Sequence, residues 1–271
     1  MTTADRAAWV PAEVNVEIPS VARMYDYYLG GMHNFAVDRQ MADAGAAIWP
    51  DLPLIMRANR AFLRRAVRHL CAAGIDQFLD IGSGIPTAGN VHEIAQAVNP
   101  QARVAYVDID PVAVAHSRAI LAGNPHATVT QADLRDVDRL LANPDITTLL
   151  DFDRPIAVLV VAVLHFLPDS ANPAGVLARL HDAVAPDSYL AVSHFSNEGP
   201  AEQVEQLLAM SRRTPTPLTL RSKTDVSRLL EGWDLIDPGI VYLPLWRPDD
   251  PADIDAHPER FNDFAAVAHK S

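Results

Sequence analysis

Cysteine is almost missing from this chain, Cys71 being the one thiol among 271 residues. That excludes an internal disulfide framework and any cysteine-based zinc site, and it suits a reducing cytoplasm. Long hydrophobic runs are missing too. The longest, from Ile156 to Leu164, falls far short of the roughly 20 residues a membrane span needs and reads as a buried strand entering a turn. The N-terminus offers no basic start followed by an apolar stretch, so no secretory leader is expected. Positive charge is scarce: 22 Lys and Arg face 34 Asp and Glu, a net charge of −12. A surface that binds phosphate backbones needs clustered cations, so neither nucleic acid nor membrane is an expected partner. Arg57 to Arg68, with Arg60, Arg64 and Arg65, is the local exception, and its helical spacing reads as a solvated helix face. No G-x-x-x-x-G-K-[ST] loop and no G-x-S-x-G elbow occur, which removes P-loop hydrolysis and the serine-hydrolase reading. No two histidines have ligand spacing with a third ligand nearby, so no metal is expected.

What the chain does have is apolar content, 49% of residues, and enough length to bury a large core. Residues 1–19, polar and carrying Pro11 and Pro19, read as a loose lead-in. Residues 20–73 read as a helical cap. Val21, Met24, Tyr25, Tyr28 and Leu29 share a helical face, with Ser20 as its N-cap and Gly30-Gly31 as its stop. Further helices are predicted over 38–48 and 54–73, the latter closed by Gly74. Beyond Gly74 the period changes. Strands are predicted over 77–81, 103–107, 127–130, 156–161, 189–193 and 264–269. Helices alternate with them over 88–98, 111–121, 134–141 and 173–184, then over 201–212 and 224–230. Residues 233–243 read as extended, bent at Pro238-Gly239. Alternating strands and helices imply right-handed βαβ units and a doubly wound parallel sheet, so 74–271 reads as one catalytic domain with the cap packed on it.

Open parallel sheets bind ligands at the carboxyl ends of their strands. The first predicted strand ends in Asp80-Ile81-Gly82-Ser83-Gly84, where glycines allow close backbone approach and a sharp turn into a helix that Thr87 is placed to cap. The second ends in Asp108-Ile109-Asp110-Pro111, 28 residues after Asp80, the spacing of one strand–helix–strand unit. A carboxylate there can accept both hydroxyls of a ribose. The third is followed by Asp133-Leu134, an acceptor for an adenine amine beside an apolar surface for its ring. Asp110 and Asp133 also sit where helix caps belong. A dinucleotide fingerprint wants a third glycine where Thr87 stands, which disfavours a nicotinamide site.

Phe78–Gly84, Val107–Pro111 and Gln131–Asp133 resemble the first three motifs of class I S-adenosylmethionine-dependent methyltransferases. The run from Ala162 to Asp169 resembles their motif after the fourth strand. The segment from Pro19 to Gly31, continuing through Asn34-Phe35 to Asp38-Arg39, is similar with Ile85–Asn90 to a narrower actinobacterial family of S-adenosyl methyltransferases, once a domain of unknown function. That resemblance spans about 19–270. It implies a Rossmann-like, seven-stranded, mostly parallel sheet with a reversed last strand, and S-adenosylmethionine as cofactor. It further implies Asp80, Gly82, Ser83 and Gly84 at the methionine end and Asp108 on the ribose. Ile109, Asp133 and Leu134 would then lie about the adenine, and Ala162 and His165 at the sulfonium. Pro86 departs from the superfamily's glycine-rich loop and removes an N–H from it.

His33, Asn34, Asp38 and Arg39 cluster just after a helix stop. From this the N-terminal segment is expected to close over the cofactor, with Arg23, Tyr25, Gly31 and Asn34 nearest. Should the acceptor arrive protonated, His165 and His194, after the fourth and fifth strands, are the candidate bases, each with a structural role as the competing reading. The expected activity is in-line methyl transfer to a small-molecule acceptor. The alternatives are a non-catalytic or regulatory S-adenosylmethionine-binding protein and a nicotinamide-dependent oxidoreductase.

Overall fold

The computed structural model describes residues 15–86 and 89–271. The N-terminal lead-in up to residue 14 and the expected Thr87 cap lie outside these described residues. The chain opens with three helices, α1 (Val21–Tyr28), α2 (Ala36–Ile48) and α3 (Leu52–Ala72). Then follow β1 (Gln77–Ile81), α4 (Val91–Val98), β2 (Arg103–Asp108), α5 (Pro111–Ile120), β3 (Ala127–Gln131), α6 (Val137–Leu141) and α7 (Pro144–Leu149). Next come β4 (Ala157–Val161), α8 (Pro173–Ala183), β5 (Tyr189–Phe195), α9 (Ala201–Ser211) and α10 (Lys223–Leu229). The chain ends with β6 (Asp234–Leu235), β7 (Val241–Tyr242) and β8 (Asp263–His269).

The sheet runs β3-β2-β1-β4-β5-β8-β6, with β7 also on β8. Strands β1 to β5 are parallel, and β8 runs antiparallel to β5. The expected seven lanes therefore hold eight strands. Asp234 pairs with His269 and Val241 with Ala265, so β6 and β7 are two pieces of one edge lane. Pro238-Gly239 interrupts it, because proline has no N–H to give the ladder.

Both faces of the sheet are covered. Phe78 from β1, Val104 from β2 and Leu159 from β4 form one core with Phe62, Ala66, Val67 and Leu70 of α3 and with side chains of α4 and α5. The alternate residues Leu79, Ala105 and Val158 meet α6, α7, α8 and α10 on the other face. Helix α3 anchors itself by this burial, each fully buried large side chain being worth about 1.5–3 kcal/mol. Helix α1 cannot do the same. It has eight residues, and Met24 is the one apolar side chain it buries fully. So short a helix is marginal in water, and polar ties hold it instead. Arg23 Nε donates to Asp38 Oδ2 at 2.8 Å and its Nη2 to the Ile18 carbonyl at 2.6 Å.

Some boundaries differ from expectation for local reasons. Ser20 occupies the N-cap of α1 but makes no capping bond; its hydroxyl donates to Asp110. Helix α4 starts at Val91, three residues late, because Glu93 accepts from the N–H groups of Gly89 and Asn90 and fixes the start there. Helix α6 starts at Val137 because Asp133 takes the Arg135 N–H in a turn first.

Candidate active site

The carboxyl edge of β1 turns on one glycine that any side chain would strain. Gly82 has φ +71, and a Cβ there would lie 2.2 Å from Val163 Cγ2. Its N–H and that of Ser83 donate to the Val107 carbonyl, at 2.7 and 3.1 Å, which draws the β1 and β2 exits together. Gly84 donates to Asp108 Oδ2 at 2.7 Å, and a Cβ there would meet nothing within 4 Å, so this backbone borders open space. Ala162, just past β4, holds φ +58, a conformation unusual for a residue with a Cβ. Its N–H donates to Ser193 Oγ, which donates to Asn59 Oδ1 at 2.6 Å. Asn59 Nδ2 then donates to the Tyr25 hydroxyl, tying the β4 exit through α3 to α1.

These edges surround one cavity of about 550 Å³, within the usual size of small-molecule sites. Asp80, Gly82, Ser83, Gly84, Asp108, Ile109, Asp133, Leu134, Ala162, His165, Arg23 and Tyr25 line it. Gly31, Asn34 and His194 stand outside that lining. The polar cluster after α1 is largely occupied with itself. Buried Asp26 accepts from the His33 N–H and from Asn34 Nδ2, and a Cβ on Gly31 would strike its carboxylate. Arg39 in turn donates to Asn34 Oδ1 at 3.0 Å.

The acids differ in state. Burial pushes Asp80 up to about 7, against the pull of Arg60 and with the push of Asp108. Burial pushes Asp108 up to about 6, offset in part by the N–H groups of Asp110 and Gly84. Asp133 goes the other way, lowered by the Arg135 fork that grips it from 2.5 to 2.9 Å. An adenine amine would have to share that carboxylate with Arg135. Asp110 caps α5 through Val112 N–H and also meets Arg23, so it is a cap and a strut at once.

The histidines are held neutral. Burial lowers His194 to about 4; its Nδ1 meets the Phe195 carbonyl at 2.9 Å and its Nε2 meets Arg221 at 2.9 Å. His165 is lowered well below the usual value by burial, with His194 and Arg221 adding to it. Its Nδ1 lies 3.2 Å from the donating Phe195 N–H, which assigns the proton to Nε2. In that tautomer Nε2 donates, and no lone pair is left there to take a proton.

Three residues escaped the sequence reading. Arg60, expected on a solvated face, lines the cavity instead, and its Nε is buried with no hydrogen-bond partner among the described residues. Arg65 is likewise turned inward, donating to the carbonyls of Leu243 and Trp246. Only Arg57, Arg64 and Arg68 of that run are exposed. Asp263 at the head of β8 also lines the cavity, 1% exposed, its carboxylate oxygens without a well-formed hydrogen bond among the described residues.

A zwitterionic amino acid joined to a nucleoside matches this wall. The wall offers the buried carboxyls of Asp80 and Asp108, the donors Arg60 Nε and Ser83 Oγ, neither hydrogen-bonded among the described residues, and the half-exposed apolar side chain of Ile109. Fold and wall together define a class I methyltransferase. The chain belongs to the S-adenosyl methyltransferase family whose model matches residues 7–271, and its cofactor is S-adenosylmethionine. Two solved structures share fold and sequence closely. A DUF574 family protein of Streptomyces avermitilis is 39% identical with a TM-score of 0.90, covering 94% of this chain and 99% of its own. A candidate methyltransferase of Thermobifida fusca is also 39% identical at 0.90, covering 98% of this chain and 100% of its own. Ribosomal RNA small subunit methyltransferase H of Halorhodospira halophila is 38% identical over 63 residues, 23% of this chain. The chain spans 19% of that relative's length. Among the described residues no helix is long and apolar enough to cross a membrane.

Proposed function

We propose that this S-adenosylmethionine-dependent methyltransferase acts on a small molecule taken into the same cavity that holds the cofactor. The observation that carries this is the continuity of the cavity. It runs from Asp108 at the β2 exit to Phe195 and Asp263 at β5 and β8, under a roof that includes Tyr25, Leu207 and Met210. A net charge of −12 weighs against a polyanionic acceptor. Residues 20–73 and 74–271 work as one unit on this reading, since α3 shares the core of the sheet.

The bound cofactor supplies an activated methyl on a sulfonium, displaced in line with a neutral leaving group. What this chain contributes is placement. Aligned groups in a closed site can supply about 7–11 kcal/mol of a barrier, so no general acid is needed. Asp80 pairs with the cofactor's ammonium, while Arg60 and Ser83 hold its carboxylate in place of the amide that Pro86 removes. Asp108 takes the ribose hydroxyls, with Ile109, Asp133 and Leu134 about the adenine. Gly82, Gly84 and Ala162 give the backbone path on which these groups stand, and Arg23 and Tyr25 hold α1 over them. Gly31 and Asn34 act at one remove, by shaping the turn that follows α1.

Incubation with methyl-labelled S-adenosylmethionine and separate extracts of small metabolites, RNA and protein tests the reading. Label is expected in the metabolite fraction. Label confined to RNA or protein refutes it.

A further inference from the structure

Asp263 has no duty in the cofactor site, and its position gives it another. Strand β8 runs against the others, so its first residue reaches the carboxyl edge of the parallel strands, opposite Phe195 at the end of β5. Its side chain shares a face with Ala265 and Val267, the α3 side of the sheet, and closes the cavity there. Between β1 and β8 lie β4 and β5. Three strand spacings of about 4.8 Å put Asp263 about 14 Å from the Asp80 lane, too far for both carboxyls to serve one end of the cofactor. Around this end the lining is apolar, with Phe195, Leu207, Met210 and Leu218. Apart from the His194 N–H, no donor among the described residues meets this buried carboxyl, and one so poorly paired costs stability unless a ligand group completes it.

We propose that Asp263 is the catalytic residue that receives the acceptor, a largely apolar small molecule bearing one protonated nucleophile, a hydroxyl or an amine. This rests on reading the cavity as the acceptor site. As the nucleophile's electron pair forms the bond to the methyl carbon and the carbon–sulfur pair returns to sulfur, the proton lost by the nucleophile passes to a carboxylate oxygen of Asp263. Burial supports the role: it raises Asp263 well above the usual carboxylate range, with the His194 N–H offsetting part of the rise. Once its resident proton has passed to solvent as the acceptor enters, the carboxylate is a stronger base than an exposed aspartate and takes up the one proton the nucleophile loses. His165, fixed as a donor at Nε2, does not compete for the proton.

The test uses the protein saturated with S-adenosylhomocysteine and three fluorescent probes: naphthol, naphthylmethylamine and methylnaphthalene. The wild type is expected to bind the first two at least about tenfold tighter than the third, the discrimination a charge-assisted hydrogen bond gives. Asp263→Asn is expected to erase that preference while leaving methylnaphthalene and S-adenosylhomocysteine affinity unchanged. Equal probe affinities in the wild type, or a preference that survives in Asp263→Asn, overturn the proposal. Infrared difference spectra of the wild type alone give a second readout. Naphthylmethylamine should remove a protonated carboxyl band, and a spectrum without that loss overturns the proposal whether or not the variant folds. Failure of S-adenosylhomocysteine to bind would instead bring down the cofactor site on which the proposal stands.

Discussion

Asp80 should make the protein less stable than it could be, and the deficit should depend on pH. The folded protein holds this carboxyl at about 7, burial being the main cause. An unfolded chain holds it near the ordinary value of about 3.9. The neutral form is therefore the one the fold favours, so stability is fully present below about pH 4 and is lost as pH rises through about 7. Three pKa units correspond to about 4 kcal/mol above neutrality, and to less than about 1 kcal/mol near pH 4. Asp80→Asn removes the charge and keeps the shape. In a chain of this size about 2 °C accompanies each kcal/mol, so the variant should melt about 8 °C above the wild type near pH 8 and within about 2 °C of it near pH 4. The same change should weaken S-adenosylmethionine binding about tenfold or more, because the ammonium loses its counter-charge. Circular-dichroism melts across that pH range and calorimetric titration with S-adenosylmethionine supply the readouts. A melting difference that stays flat with pH would refute the claim of an uncompensated buried charge. Unchanged cofactor affinity would remove Asp80 from the site.

Arg60→Gln should lower S-adenosylmethionine affinity about tenfold or more by calorimetry, the worth of a hydrogen bond to a charged group, with little change in fold. It should also raise Asp80 further, since the guanidinium now pulls it down, so the pH dependence of the melt should move upward. Arg23→Ala removes the counter-charge of Asp38 and Asp110, which are 0% and 8% exposed and keep only backbone and hydroxyl donors, and should cost about 3 kcal/mol in urea unfolding. Gly82→Ala should destabilise by about 1–3 kcal/mol, and adding Val163→Ala should recover only the steric share because φ +71 still penalises any Cβ. Full recovery in that double variant would show that crowding alone fixes the glycine.

The sheet was legible because the chain changes period at Gly74. Strands β1 to β5 lie where apolar runs with β-branched residues fall between helical stretches, and each predicted strand overlaps an observed one. Helix α7 was not legible: Pro144–Leu149 is six residues long with two threonines, too short to show a repeating face. In the site, Asp80, Asp108 and Asp133 could be found because strand ends are fixed by the strands before them. Arg60 could not, since i, i+4 spacing with Arg64 describes a helix stripe without saying whether one end of it meets a cleft. Asp263 was missed by one residue. A charged residue ahead of Phe264 reads as a strand boundary, and only pairing with Phe195 shows that it belongs inside. The turn after α1 was read as a lid from its polar richness, whereas Asn34 and Arg39 spend their hydrogen bonds on Asp26 and on one another.

The fractured outer lane of the sheet has a bearing on behaviour in a crowded solution. An unbroken outer strand presents a row of free backbone donors and acceptors, and a second chain can zip onto it and keep growing. Here β6 and β7 offer two residues each, separated by Pro238 and Gly239, and the exposed β6 includes the charged Asp234. Too little continuous ladder remains for such zipping to begin at that border. Replacing Pro238-Gly239 with a strand-forming pair would restore the template, so fibril seeding is the hazard this interruption guards against.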